Sequence, residues 1–152
     1  MRLATALLAG ASLTVALASP AAAETVQVGA ASATTVGIWV YPMGCSQLPV
    51  EYAGIPAGSY AYIRILDSAT RNDIGSKTVY PGDPQSARAN IQVCKHSVDG
   101  ATSILLSLDI IGVGAADSAT FGWASLSRCV NRKTYEISLV QSATCPKGSV
   151  KR

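Results

Sequence analysis

The sequence predicts an all-β protein, an antiparallel two-sheet sandwich of about eight short strands, on three observations. Apolar and polar residues alternate with period two, the spacing that sends successive side chains to opposite faces of a strand. Turn-forming residues recur at short intervals between these runs. Beyond residue 23, no stretch joins a capping residue to apolar spacing of three and four, so no helix of useful length is expected. The count and spacing of strands fit a Greek-key sandwich, with a closed barrel as the alternative.

The elements follow in chain order. Strands are expected at 25–32 and 35–42, the second alternating Val36, Ile38 and Val40 with Trp39 and Tyr41. Residues 44–58 mix apolar side chains with Pro49 and Pro56 and are expected to be the longest connection. A strand at 59–67 alternates Ala61, Ile63 and Ile65 with Tyr60 and Tyr62, and the polar run from Asp67 to Asp73 turns the chain into a strand at 76–80. Pro81-Gly82-Asp83-Pro84 breaks that strand. The two firmest strands follow, at 86–93 with Ala87, Ala89, Ile91 and Val93 on one face, and at 103–110 with Ile104, Leu106, Leu108 and Ile110 on one face. Asp99-Gly100 marks a hairpin tip between them. The last strands are expected at 119–129 and 133–141 around a tip at Asn131-Arg132-Lys133, the final one with Tyr135, Ile137 and Leu139 inward.

The string Asp117-Ser118-Ala119-Thr120-Phe121 resembles the segment leading into the penultimate strand of immunoglobulin variable domains. The resemblance covers five residues. That family would carry a tyrosine at position 121 and a cysteine at position 123, where this chain has Phe121 and Trp123. The resemblance implies an immunoglobulin-like sandwich and no particular function, because sandwiches host unrelated activities.

The first 23 residues have the layout of a secretory signal. Arg2 supplies the positive start, Leu3 to Ala18 the apolar run, and Ser19-Pro20-Ala21-Ala22-Ala23 the small-residue exit. The expected organisation is therefore a signal peptide at 1–23, a β-sandwich domain at 24–145 and a basic C-terminal tail at 146–152. A chain of this length buries roughly two thirds of the surface exposed on unfolding, enough for a core without crosslinks. In an extracellular or periplasmic compartment, Cys45, Cys94, Cys129 and Cys145 are expected to form two disulfides. If successive strands alternate up and down, Cys45 and Cys145 fall at one end and Cys94 and Cys129 at the other, and those are the expected pairs.

Charge narrows the partners. Twelve Lys and Arg face nine Asp and Glu, a balance too scattered for a nucleic-acid interface. The one concentration is Arg128, Arg132, Lys133, Lys147, Lys151 and Arg152, which suits contact with an anionic envelope polymer or, more plainly, a solvated turn and a frayed terminus. Asp109 interrupts the most apolar later segment, so no membrane span is expected after signal removal.

The chemistry is sparse, and no catalytic residue, cofactor or metal site is assigned. His96 is the only histidine and neighbours Cys94, which leaves little for a hydrolytic triad or a histidine-based metal site. The acids Glu51, Asp109, Asp117 and Glu136 share no periodicity that would pair them for glycoside cleavage. Binding is the better-supported class. Trp39 and Tyr41 stand opposite an apolar face, either as a covered second face, which is favoured, or as an exposed strip that grips a partner. Leu48 and Tyr52 belong to the 44–58 connection, read either as a crossing tucked over the core, which is favoured, or as a stiffened recognition loop. Trp39, Tyr41, Leu48 and Tyr52 are thus the candidate binding residues.

The reading is a secreted, non-catalytic binding module for an extracellular protein or envelope component. A protease-inhibitor-like protein using the 46–57 loop is the sharper alternative, and a small extracellular hydrolase the class-level competitor. The intact mass of the exported protein is expected to begin at Glu24 and to lack the four hydrogens that two disulfides remove. A retained Met1, or two thiols that react with an alkylating agent, would contradict this.

Overall fold

A computed structural model describes residues 23–140 and 144–152, so the expected signal peptide lies outside the described residues except for Ala23. The strands are β1 (Glu24–Val28), β2 (Ala31–Thr35), β3 (Ile38–Val40), β4 (Cys45–Ala53), β5 (Ala61–Asp67), β6 (Asp73–Val79) and β7 (Ala87–Cys94). One turn of helix, α1 (Lys95–Val98), precedes β8 (Ile104–Ile110), β9 (Gly114–Asp117), β10 (Trp123–Ser125), β11 (Ser127–Asn131), β12 (Ile137–Val140) and β13 (Ser149–Lys151). The protein is all-β. One four-stranded sheet has the order β1-β2-β4-β7 and another β6-β5-β8-β9, both antiparallel throughout. β10 pairs with β3 in parallel, and a three-stranded sheet runs β12-β11-β13.

Period-two patterning produces the core. Val26, Leu48, Val50, Ile91 and Val93 from the first sheet join Ile63, Ile65, Leu106 and Leu108 from the second in one buried cluster. Arg88, Asn90 and Gln92 alternate outward on β7 as the pattern requires. β8 departs from it, because Leu105 and Ser107 on its other face are also buried. Arg64 of β5 lies in register with Ser107 and reaches Asp109 at 3.3 Å, laying a long side chain over that face.

Several expected boundaries move for local reasons. The 25–32 run is a hairpin, since Gly29 at φ +60° supplies the first position of a two-residue turn that only glycine adopts freely. The 35–42 run breaks at Val36-Gly37 and the 119–129 run at Leu126, and β9 forms a further short strand.

The largest correction concerns 44–58. Residues 45–53 are not a connection but β4, a strand paired with β2 on one side and β7 on the other. Ser46, Leu48, Val50 and Tyr52 point into the protein while Cys45, Gln47, Glu51 and Ala53 point out. Pro49 argues against an interior strand because it cannot donate to a ladder. The structure accommodates it where β2 ends: β2 pairs with β4 only as far as Thr35 opposite Val50, and the Thr35 hydroxyl donates to the Pro49 carbonyl at 3.1 Å.

The disulfides also differ from the expected pairs. Cys45 bonds to Cys94, and Cys129 to Cys145. Cys45 opens β4 rather than closing the preceding strand, and antiparallel register sets it directly opposite Cys94. Cys129 lies inside β11 rather than at its end, and the chain returns past it to form β13 on the side away from β12. The basic residues 146–152 are accordingly tied in: Ser149–Lys151 pairs with β11, and the Arg152 amide donates to the Arg128 carbonyl at 3.0 Å.

The final expected strand is shorter and faces the other way. Asn131 accepts from the amides of Lys133 and Thr134, a side-chain turn that carries the chain to Tyr135 at φ +61°. Tyr135, Ile137 and Leu139 are exposed rather than inward.

Non-reducing peptide mapping is expected to join the Cys45 peptide to that of Cys94 and the Cys129 peptide to that of Cys145. With sequence separations of 49 and 16, chain entropy gives losses of about 4 and about 3 kcal/mol when each pair is changed to serine. Denaturant unfolding measures both, and a larger loss for the second pair would contradict the loop-length account.

Candidate binding groove

Of the four residues singled out from sequence, Leu48 and Tyr52 are core residues of β4. Trp39 is half-buried on the face of β3 opposite Ile38 and Val40, in a shallow concavity with Ser46, Gln47 and Pro49. Tyr41, just past β3, is 39% exposed. The structure therefore separates the candidates and keeps Tyr41 on an accessible surface.

Tyr41 belongs to a groove of about 390 Å³ lined by Pro42, Met43, Gly44, Cys45, Arg128, Ile137 and Leu139. Met43 is 97% exposed, Ile137 57% and Leu139 39%. One wall is the β3–β4 turn, held at four points. The Tyr41 amide donates to Ser46 Oγ at 3.2 Å, the Lys95 amide to the Gly44 carbonyl at 2.9 Å, and the Leu126 amide to the Val40 carbonyl at 2.7 Å. The Cys45–Cys94 bridge is the fourth. The other wall is one face of the three-stranded sheet. Cross-strand partners share a face, so Arg128 with Leu139 and Val130 with Ile137 and Val150 present one apolar surface with a guanidinium beside it.

Sequence reading missed Met43, Ile137 and Leu139 as site residues and marked Arg128 only as part of the basic concentration. Alternation marks Ile137 and Leu139 as sharing a face, but which face meets water depends on what packs there, and the core cluster closes without them. A larger concavity of about 460 Å³ lies on the outer face of the first sheet, among Ser32, Thr34, Glu51, Ser86 and Arg88. It presents no large exposed apolar side chain.

The acidic candidates are partly brought together. Register places Asp109 and Asp117 as diagonal neighbours on adjacent strands. Each is held by its own arginine, Asp109 by Arg64 and Asp117 by Arg71 at 2.8 Å. Glu51 and Glu136 lie elsewhere, on β4 and beside Thr134. His96 is exposed on α1. Among the described residues, no three His, Cys, Asp or Glu side chains gather as a metal-binding group, and no helix is long and apolar enough to cross a membrane. Trp123 is a packing residue: its indole donates to the Ala101 carbonyl at 3.0 Å, and the Lys95 ammonium lies 4.7 Å above its ring.

No protein-family model, no curated protein and no solved structure matches the chain.

Burial, and secondarily the Asp83 carboxylate, raises the Tyr52 phenol above its ordinary value of 10.0. The folded state then keeps that proton where the unfolded chain releases it. Stability from Tyr52 is complete below pH 10 and is lost as pH rises through the folded value. Comparing unfolding of the protein with Tyr52→Phe between pH 9 and pH 11 is expected to show a steeper alkaline loss in the parent. Parallel curves would contradict it.

Proposed function

We propose that this protein is an exported, non-catalytic binding module whose two four-stranded sheets form an immunoglobulin-like or related Greek-key sandwich. Its target is an extracellular protein or an envelope component. One observation carries the reading: Tyr41, Met43, Ile137 and Leu139 stand exposed around a single groove beside Arg128. Water gains nothing from such side chains, and burying each under a partner is worth roughly 1.5–3 kcal/mol. The bridges and hydrogen bonds at the β3–β4 turn support the same reading, because a wall already ordered loses less entropy on binding.

The 46–57 segment does not serve this function as an inhibitory loop. Its first eight residues are strand, and Leu48 and Tyr52 are turned into the core. The recognition surface lies at the other end of β4, where the chain enters it.

Met43→Asp tests the reading. The side chain packs on little, so unfolding free energy is expected to change by less than about 0.5 kcal/mol. Captured from culture medium, a partner is expected to be retained by the parent protein and lost by the variant. Equal retention by both would remove the groove as the recognition surface.

A further inference from the structure

We infer that the groove takes an acidic, extended polypeptide segment of another protein, which adds as a strand to the free edge of β12. The inference rests on the groove being the recognition surface and goes further in naming the occupant.

The backbone of β12 carries the argument. Antiparallel partners alternate between pairs that exchange hydrogen bonds and pairs whose N–H and C=O groups point away from each other. The Asn131 amide donates to the Glu136 carbonyl, which fixes the phase. Counting along the register, Cys129 with Ser138 is a bonded pair, whereas Val130 with Ile137 and Arg128 with Leu139 are not. The Arg128 carbonyl confirms this phase by accepting from Arg152 on the opposite side. Ile137 and Leu139 therefore direct two N–H and two C=O groups outward. Among the described residues β12 pairs only with β11, and none of them pairs with this edge.

Open edges in soluble proteins are ordinarily blunted by charge, proline or a covering loop. This one carries Ile137, Ser138, Leu139 and Val140, and the side chains flanking its outward backbone groups are the apolar ones lining the groove. Backbone pairing with alternate side chains seated in pockets is how an added strand is recognised.

Charge selects the occupant. Arg128 and Arg152 are neighbours across β11 and β13, and Arg132, Lys133, Lys147 and Lys151 belong to the same three-stranded region, with Glu136 the one acid among residues 127–140. A second copy of this chain would bring arginines against arginines. A bilayer interior offers no partners for the outward backbone groups. An extended segment alternating acidic and apolar residues satisfies backbone, groove and charge together.

The probe is a capped synthetic peptide alternating glutamate and valine, titrated into the oxidised protein at low salt. The controls are its lysine-for-glutamate counterpart and a version N-methylated at alternate residues. Only the first is expected to bind, weakening as salt rises and slowing exchange of the Ile137 and Leu139 amides about tenfold or more at saturation. Arg128→Glu is expected to weaken binding about tenfold. Leu139→Pro removes an outward N–H and leaves the β11 pairing intact, so binding is expected to vanish at unchanged thermal midpoint. The N-methylated peptide makes the same test on the unaltered protein should that variant not fold.

Absence of binding by the acidic peptide overturns the inference, as does equal binding of the lysine peptide or retained binding of the N-methylated one. Protection of Ile137 and Leu139 seen only with phosphatidylglycerol vesicles, or only at rising protein concentration, overturns it in favour of a membrane or a second copy. Binding kept by Leu139→Pro but lost by Met43→Asp preserves the groove and removes the added strand; binding indifferent to both removes both.

Discussion

The architecture depends on β4 being held from both sides. It pairs with β2 and β7, lends Ser46, Leu48, Val50 and Tyr52 to the interior, and is locked to β7 by Cys45–Cys94 at its first residue. Proline in such a strand removes one ladder donor, and a missing donor buried without compensation costs free energy. Ending β2 opposite Val50 and using Thr35 Oγ to satisfy the Pro49 carbonyl confines the disturbance to one site. The second sheet then closes on β7 through Gly75 of β6, where an added Cβ would meet the Gln92 carbonyl oxygen at 2.5 Å and Ile91 Cγ2 at 2.9 Å. A side chain there would force the sheets apart where Ile91 enters the shared cluster.

Much of this was legible in the chain. Ala87 to Val93 and Ile104 to Ile110 alternate as strands do, and Asn131 marks a turn through the side-chain acceptor it offers, whereas the turn at Gly29 lay hidden inside a run read as one strand. What was not legible depended on partners distant in sequence. Pro49 looks like a loop residue until β2 is seen to stop beside it. The cysteine pairs follow from whether each cysteine opens, occupies or closes a strand, and alternation does not locate strand ends to one residue. Ile137 and Leu139 show the same limit at the site: periodicity groups them on one face, and only the packing of the other described residues reveals that none of them covers it.

That openness has a structural origin. The two four-stranded sheets, with Ile38 and Val40 of β3, Ile55 and Val98, complete the core cluster, whereas the three-stranded sheet adds chiefly Cys129 and Ser127 to the buried set. A sheet that buries so little lacks the apolar contacts that normally hold strands in register. The Cys129–Cys145 bridge supplies the missing constraint, since it fastens the returning chain to β11 next to where β13 pairs. Covalent closure there restricts the unfolded ensemble and leaves the apolar face of β12 uncommitted.

The two bridges thereby hold the two walls of the groove independently. Cys45–Cys94 anchors the turn that presents Tyr41 and Met43, and Cys129–Cys145 anchors the sheet that presents Arg128, Ile137 and Leu139. Neither wall relies on burying its own exposed side chains to stay ordered, so the apolar surface remains free for a partner while the entropy of positioning it is already spent in folding. Reduction would break no contact within the buried cluster, which contains no cysteine, and would loosen both walls of the groove on which the proposed recognition rests.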